Sequence, residues 1–183
     1  MNEHLDEHLD EQMNEKLSII SQPNLRKRLK RELIDLVINK NIELHFIDIN
    51  LNDDSIEDSN GYDKGYYFYK LNVYTISNFY RFYIPPSYPF APPKLNINYK
   101  PYMSLLRHNN YTDNLYKYKK IRCFCCETVL CGNNWNPVIT IGKIIDEFNA
   151  FKKYSKEISH RIIVDVIKRK YLVEDLNLID WLY

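Results

Sequence analysis

No run of about 18 consecutive apolar residues occurs in the 183 positions, so the sequence offers no helix suited to crossing a bilayer. Cysteine is missing outside one nine-residue window, Cys123 to Cys131, which holds all four. Without distant partners they make a poor disulfide framework and a better reactive or metal-binding cluster. An excess of charge is missing too. Lys and Arg number 25 against 24 Asp and Glu, which gives no broad electrostatic reason to bind nucleic acid. The first residues, MNEHLDEHLDEQ, are acidic and polar rather than basic then apolar, unlike a secretory leader. These absences lead us to expect a soluble, intracellular chain with neither membrane nor nucleic acid among its partners.

What is present suffices for one folded domain. The hydrophobic fraction is 45% and the charged fraction 27%, outside the range of mostly disordered chains. A chain of this length buries roughly two thirds of its unfolded surface. Residues 1–22 read as a helical or flexible extension, with Leu5, Leu9, Met13 and Leu17 four apart among acidic residues. Pro23 suits a helical first turn, and Leu25, Leu29, Leu33, Leu36 and Val37 then form one apolar face. Arg26, Lys27, Lys30 and Arg31 lie largely away from that face, a basic side for solvent or a partner.

Strand-like segments follow. Residues 43–49 (ELHFIDI) precede a polar loop rich in Asn, Asp, Ser and Gly. Residues 66–76 and 79–84 are aromatic and branched, and the break at Ser77 and Asn78 favours an antiparallel hairpin. Five prolines between Pro85 and Pro93 predict an extended, rigid connection, after which Leu95 and Ile97 supply another edge strand. Residues 98–120 are polar and irregular, a length at which loops are often functional. Beyond the cysteines, Thr140 can cap a helix carrying Ile144, Ile145, Phe148 and Phe151. Ile158, Ile162, Ile163, Val166, Ile167 and Tyr171 make a second helical stripe, and residues 175–183 (DLNLIDWLY) another short apolar element. The expected class is α+β: an N-terminal helix, a four-stranded antiparallel meander and C-terminal helices, with the core at 23–150 and a divergent helical part at 151–183.

Several of these segments, taken in order, resemble the ubiquitin-conjugating family over roughly residues 24–150. The likeness rests on the helix LRKRLKRELIDL, on the YPFxPP motif present as Tyr88 to Pro93, on a cysteine followed at plus three and plus four by an apolar pair, and on Trp135-Asn136-Pro137 before a helix. Cys126, followed by Val129 and Leu130, fits the third element. The chain departs from the pattern in three places. His108-Asn109-Asn110 stands where the family has His-Pro-Asn, with about eight extra residues before the cysteine; CFCCETVLC replaces an isolated cysteine; and the Asp-Pro-rich connection past residue 150 is missing.

The resemblance implies a carrier that takes ubiquitin, or a similar modifier, from an activating enzyme as a cysteine thioester and passes it to a substrate lysine, usually with a ligase. Thiols form thioesters readily and need no His-Asp charge system. Cys126 is the expected nucleophile and Cys123 the alternative, with Cys125 and Cys131 behind. Asn110 matches the asparagine that stabilises the oxyanion. Asp113 and Glu127 are candidates for positioning the substrate amine. Phe90, Pro137 and Val138 correspond to the ligase platform, and Arg26, Lys27, Lys30 and Arg31 to the activating-enzyme face. No bound cofactor and no metal are expected, ATP being used by the activating enzyme, and the family places the chain in cytoplasm or nucleus. Two alternatives stay open: a catalytically inactive module of the same fold that positions another protein, and zinc held by the cysteine cluster, with His108 as a further candidate ligand, which would make such a module zinc-stabilised.

Overall fold

A computed structural model of the chain describes residues 3–43, 45, 47–51, 69–106 and 124–171. The order is α1 (Glu3–Lys16), α2 (Pro23–Lys40), β1 (Ile47–Leu51), β2 (Tyr69–Tyr74), β3 (Phe79–Ile84), β4 (Lys94–Ile97), β5 (Lys100–Pro101), α3 (Tyr102–Leu105), α4 (Phe124–Glu127) and α5 (Ile141–Tyr171). The class is α+β, with helices before and after one antiparallel sheet of order β1-β2-β3-β4-β5. None of the described helices is long and apolar enough to cross a membrane.

The meander follows from period-two patterning. Ile47 and Ile49, Leu71 and Val73, Tyr80 and Phe82, and Leu95 and Ile97 are buried, whereas Asp48, Arg81 and Asn96 are not; in β2 the intervening Asn72 is buried as well and accepts Arg81 Nε at 3.0 Å. The pairing of Tyr69 with Ile84 and of Tyr74 with Phe79 sets the β2–β3 register. Its turn is closed by the Thr75 amide on the Asn78 carbonyl at 2.9 Å and by the Asn78 amide on Thr75 Oγ1 at 3.1 Å.

α2 begins on Pro23 and ends at Asn41, a left-handed residue with φ 51° whose amide bonds the Leu36 carbonyl. Leu25, Leu29, Leu33 and Leu36 lie in the core with the inner face of the sheet. α1 joins the same core through Met13, and the turn after it through Leu17 and Ile20, all with no exposed surface. The charged side of α1 is fastened as well, by Lys30 to Asp10 at 2.7 Å and Lys16 to the Ile47 carbonyl at 2.7 Å. α5 enters beside α2. A Cβ on Gly142 would lie 2.8 Å from Asp35 Oδ2, so glycine permits the close approach, and Lys40 pairs with Asp146 at 2.5 Å.

Several expectations need correction. The meander of four strands carries a fifth, two-residue strand, and residues 102–105, inside the segment expected to be irregular, form a helical turn with Tyr102 buried. Pro85 to Pro93 is turned rather than extended: the Ser87 carbonyl accepts the amides of Phe90 at 2.7 Å and Ala91 at 3.3 Å. Proline fixes φ near the value such turns use, so stiffness does not mean extension. The expected C-terminal helices are one helix, because no proline or glycine interrupts residues 143–171. At a rise of 1.5 Å per residue it is about 46 Å long and overruns the core. Ile144, Ile145 and Phe148 are buried in the core; farther along, Ile158 and Val164 are buried as well, while Ile163, Val166 and Ile167 are exposed. The expected Thr140 cap is present, its Oγ1 accepting the Lys143 amide at 3.3 Å. The polar loop after β1 and residues 172–183 lie outside the described residues.

Candidate functional site

Cys126 sits on α4, a single helical turn, with its side chain exposed. Helices this short are not self-supporting, so the turn is held by what surrounds it. Asn134 donates through Nδ2 to the Cys126 carbonyl at 2.6 Å and to the Thr128 carbonyl at 3.1 Å. The Thr128 carbonyl also accepts the Cys131 amide at 3.0 Å, and the Cys131 carbonyl takes the amides of Asn134 and Trp135, both at 2.9 Å. Residues 126–135 thus form a tight coil with Val129 and Leu130 turned toward the core. Cys131 is half-buried scaffold in it, and Cys126 points outward.

A carboxylate secures this coil from below. Glu147, on the second turn of α5, accepts the Tyr102 hydroxyl at 2.7 Å, the Thr128 hydroxyl, and the Val129 amide at 2.7 Å. Tyr102 and Thr128 are buried. Burial, with the Glu147 carboxylate beside it, pushes the Tyr102 hydroxyl well above the usual tyrosine range.

A second carboxylate fixes the neighbouring loops. Glu32 is 2% exposed and takes the Tyr88 hydroxyl at 2.7 and 2.8 Å on its two oxygens, the Ile141 amide at 2.8 Å, and Arg28. Arg28 reaches on to the Ile139 carbonyl at 3.0 Å. One side chain therefore ties α2, the proline turn and the start of α5 together. The Trp135 indole donates to the Pro89 carbonyl at 2.8 Å, and its ring centroid lies 6.1 Å from that of Tyr88. This bond joins the loop carrying Phe90 to the loop carrying Pro137 and Val138. Phe90 and Val138 are 79% and 64% exposed, so two apolar side chains face solvent from loops fastened to each other.

Of the residues singled out from the sequence, Cys126 and Glu127 are exposed neighbours at the site, and Phe90, Pro137 and Val138 are exposed on the joined loops. Asn110, Asp113 and Cys123 lie outside the described residues, as do His108 and Asn109. On α2 the four basic residues divide. Lys27 and Arg31 are exposed, whereas Arg26 donates to the Ile20 carbonyl at 2.9 Å and the Ser18 carbonyl at 3.3 Å, and Lys30 is engaged by Asp10 and, at 2.9 Å, by Asn14. Among the described residues no group of three or more His, Cys, Asp or Glu is arranged to hold a metal.

Sequence reasoning passed over Asn134, Thr128, Glu147 and Glu32. Two of them were detectable. Glu32 stands three after Leu29 and four before Leu36, and Glu147 three after Ile144 and four before Phe151, so each carboxylate lies on an apolar helical face. Charge there requires partners. Chemically, the chain offers an exposed thiol on a turn whose backbone is held by two side chains, and an apolar platform on loops that the Trp135 to Pro89 bond joins to the same coil. Comparison of the chain with protein-family models, with curated proteins and with solved structures finds no match.

Proposed function

We propose that the protein is a divergent ubiquitin-conjugating enzyme that carries ubiquitin, or a related modifier, on Cys126. The observation that carries the reading is the exposed Cys126 on a side-chain-clamped turn, whose coil is coupled to the YPFAPP turn by the Trp135 to Pro89 bond. Further support comes from the linear order of helix, meander, proline motif, cysteine and Trp-Asn-Pro.

In the proposed reaction the Cys126 thiolate attacks the thioester carbonyl of the modifier on the activating enzyme. A new carbon–sulfur bond forms, the old one breaks, and the departing sulfur takes up the proton that Cys126 gave away. In the second step a lysine amine attacks the Cys126 thioester. The amide forms, the proton leaves the nitrogen, and Cys126 departs as thiolate to be reprotonated. Asn110 is the proposed oxyanion donor, and Asp113 and Glu127 the acids proposed to position the amine. Lys27 and Arg31 present the basic face for an activating enzyme, and Phe90, Pro137 and Val138 the surface for a ligase. The protein itself would bind no cofactor, and the reaction belongs to cytoplasm or nucleus.

A second reading, an inactive interaction module of the same fold, draws its support from Asn109 standing in place of proline in the His-Pro-Asn element. One experiment separates the two. With activating enzyme, ATP and ubiquitin, the wild type should give an adduct cleaved by reducing agent, retained by Cys123→Ala and lost in Cys126→Ala. A folded wild type that gives no adduct with ubiquitin or related modifiers removes the catalytic reading, and loss with Cys123→Ala alone moves the nucleophile.

A further inference from the structure

We infer that Glu147 is a positioning residue for Cys126: it sets where the thiol stands when the acyl group is transferred, an inference that rests on the carrier reading above. A carboxylate only accepts, and this one takes three donors from two separate parts of the chain, the Tyr102 hydroxyl after β5, and the Thr128 hydroxyl and Val129 amide after α4. The Tyr102 hydroxyl has been drawn to Glu147 across 45 positions of sequence, and Thr128 across 19.

Thr128 is two residues from Cys126, a separation the chain spans in at most about 7 Å. Its hydroxyl and its carbonyl each have two partners. The hydroxyl donates to Glu147 and accepts the Leu130 amide at 3.3 Å, while the carbonyl accepts Asn134 and the Cys131 amide. Asn134 grips the Cys126 carbonyl from within the same coil, so it cannot fix that coil relative to the rest of the domain. Glu147 can, because it belongs to α5, whose Ile144, Ile145 and Phe148 are packed in the core. Through Thr128 and Val129 it links the thiol-bearing turn to a rigid helix.

The substitutions at Glu147 have a predicted rank. Alanine leaves the Thr128 and Tyr102 hydroxyls and the Val129 amide without their acceptor, and the coil is free to shift. Glutamine keeps one oxygen for the Val129 amide and turns its NH2 toward the two hydroxyls, whose protons rotate to let them accept. Aspartate is one methylene shorter and cannot span all three donors.

The test follows single-turnover charging and then discharge of the Cys126 thioester onto free lysine, with activating enzyme and ubiquitin. A displacement of about 1 Å at a reacting centre costs on the order of 100-fold, so Glu147→Ala should slow discharge by about 10- to 100-fold with the KM for charging little changed, whereas Glu147→Gln should stay within about 5-fold of wild type. Thr128→Val, nearly isosteric and lacking only the hydroxyl, guards against misfolding and should reproduce the slow discharge in a protein that unfolds cooperatively. Discharge at the wild-type rate in both Glu147→Ala and Thr128→Val overturns the inference. So does a loss in Glu147→Gln equal to that in Glu147→Ala. Failure of the wild type to form an adduct at all would instead remove the carrier reading on which the inference stands.

Discussion

Glu32→Ala is the substitution by which the architecture around the site is best tested. The wild-type side chain accepts the Tyr88 hydroxyl on both oxygens, the Ile141 amide and Arg28, at a position 2% exposed. Removing it orphans two donors that cannot reach water readily, since Tyr88 and Ile141 are 4% and 0% exposed. Each stranded buried donor costs about 1–3 kcal/mol. Arg28 adds less, because its side chain is 24% exposed and can turn to solvent. The sum, about 3–5 kcal/mol, matches the cost of breaking a buried pair by deleting one partner. It is a large share of the 5–15 kcal/mol that typically holds a domain folded. Tyr88→Phe is the control. It deletes a donor but leaves the carboxylate bonded to Arg28 and Ile141, so it should cost only about 1 kcal/mol. Urea unfolding read by tryptophan fluorescence and far-UV dichroism measures both, given that m is unchanged. A Glu32→Ala protein within 1 kcal/mol of wild type, or a Tyr88→Phe protein as unstable as Glu32→Ala, would show that this carboxylate does not organise the three segments it touches.

Two further predictions use the same measurement. Burial raises the Glu32 carboxyl above the ordinary value of 4.5, against the downward pull of the Tyr88 hydroxyl, the Ile141 amide and Arg28. A raised native value means that the folded state holds the proton more tightly than the unfolded one. The stability of wild type relative to Glu32→Gln should therefore be greatest below pH 4.5 and fall as pH rises through the raised native value; a difference that grows with pH reverses the sign and refutes it. Leu17→Ala should cost about 2–4 kcal/mol, because Leu17 has no exposed surface, whereas Ile19→Ala, at 38% exposed, should stay within about 0.5 kcal/mol. Equal, small effects at both positions would show that the turn after α1 is not anchored in the core.

That first helix illustrates how far local pattern reaches. Its four-residue spacing of Leu5, Leu9, Met13 and Leu17 allowed a helix, but not the surface it covers. Covering α2 uses Lys30 and draws Arg26 to the turn carbonyls of Ser18 and Ile20, so two of four basic residues that read as a partner surface are engaged by the chain's own N-terminal segment. Spacing along one helix reports which side is polar. It carries no information about which polar side chains another element will claim.

Where a signal is local, the sequence determined the outcome: alternation in the strands, proline opening α2, Thr140 capping α5, and absence of a breaker making α5 continuous, although its two apolar stripes suggest separate helices. The order of motifs around Cys126 was equally legible, since order is a property of the chain itself. Tertiary structure alone decided which groups share the two carboxylates. Glu32 meets Ile141 across 109 positions and Glu147 meets Tyr102 across 45. The sequence could mark both as charges on apolar helical faces that must find partners. Which donors answer depends on how the helices seat against the sheet, a result of packing the whole core at once.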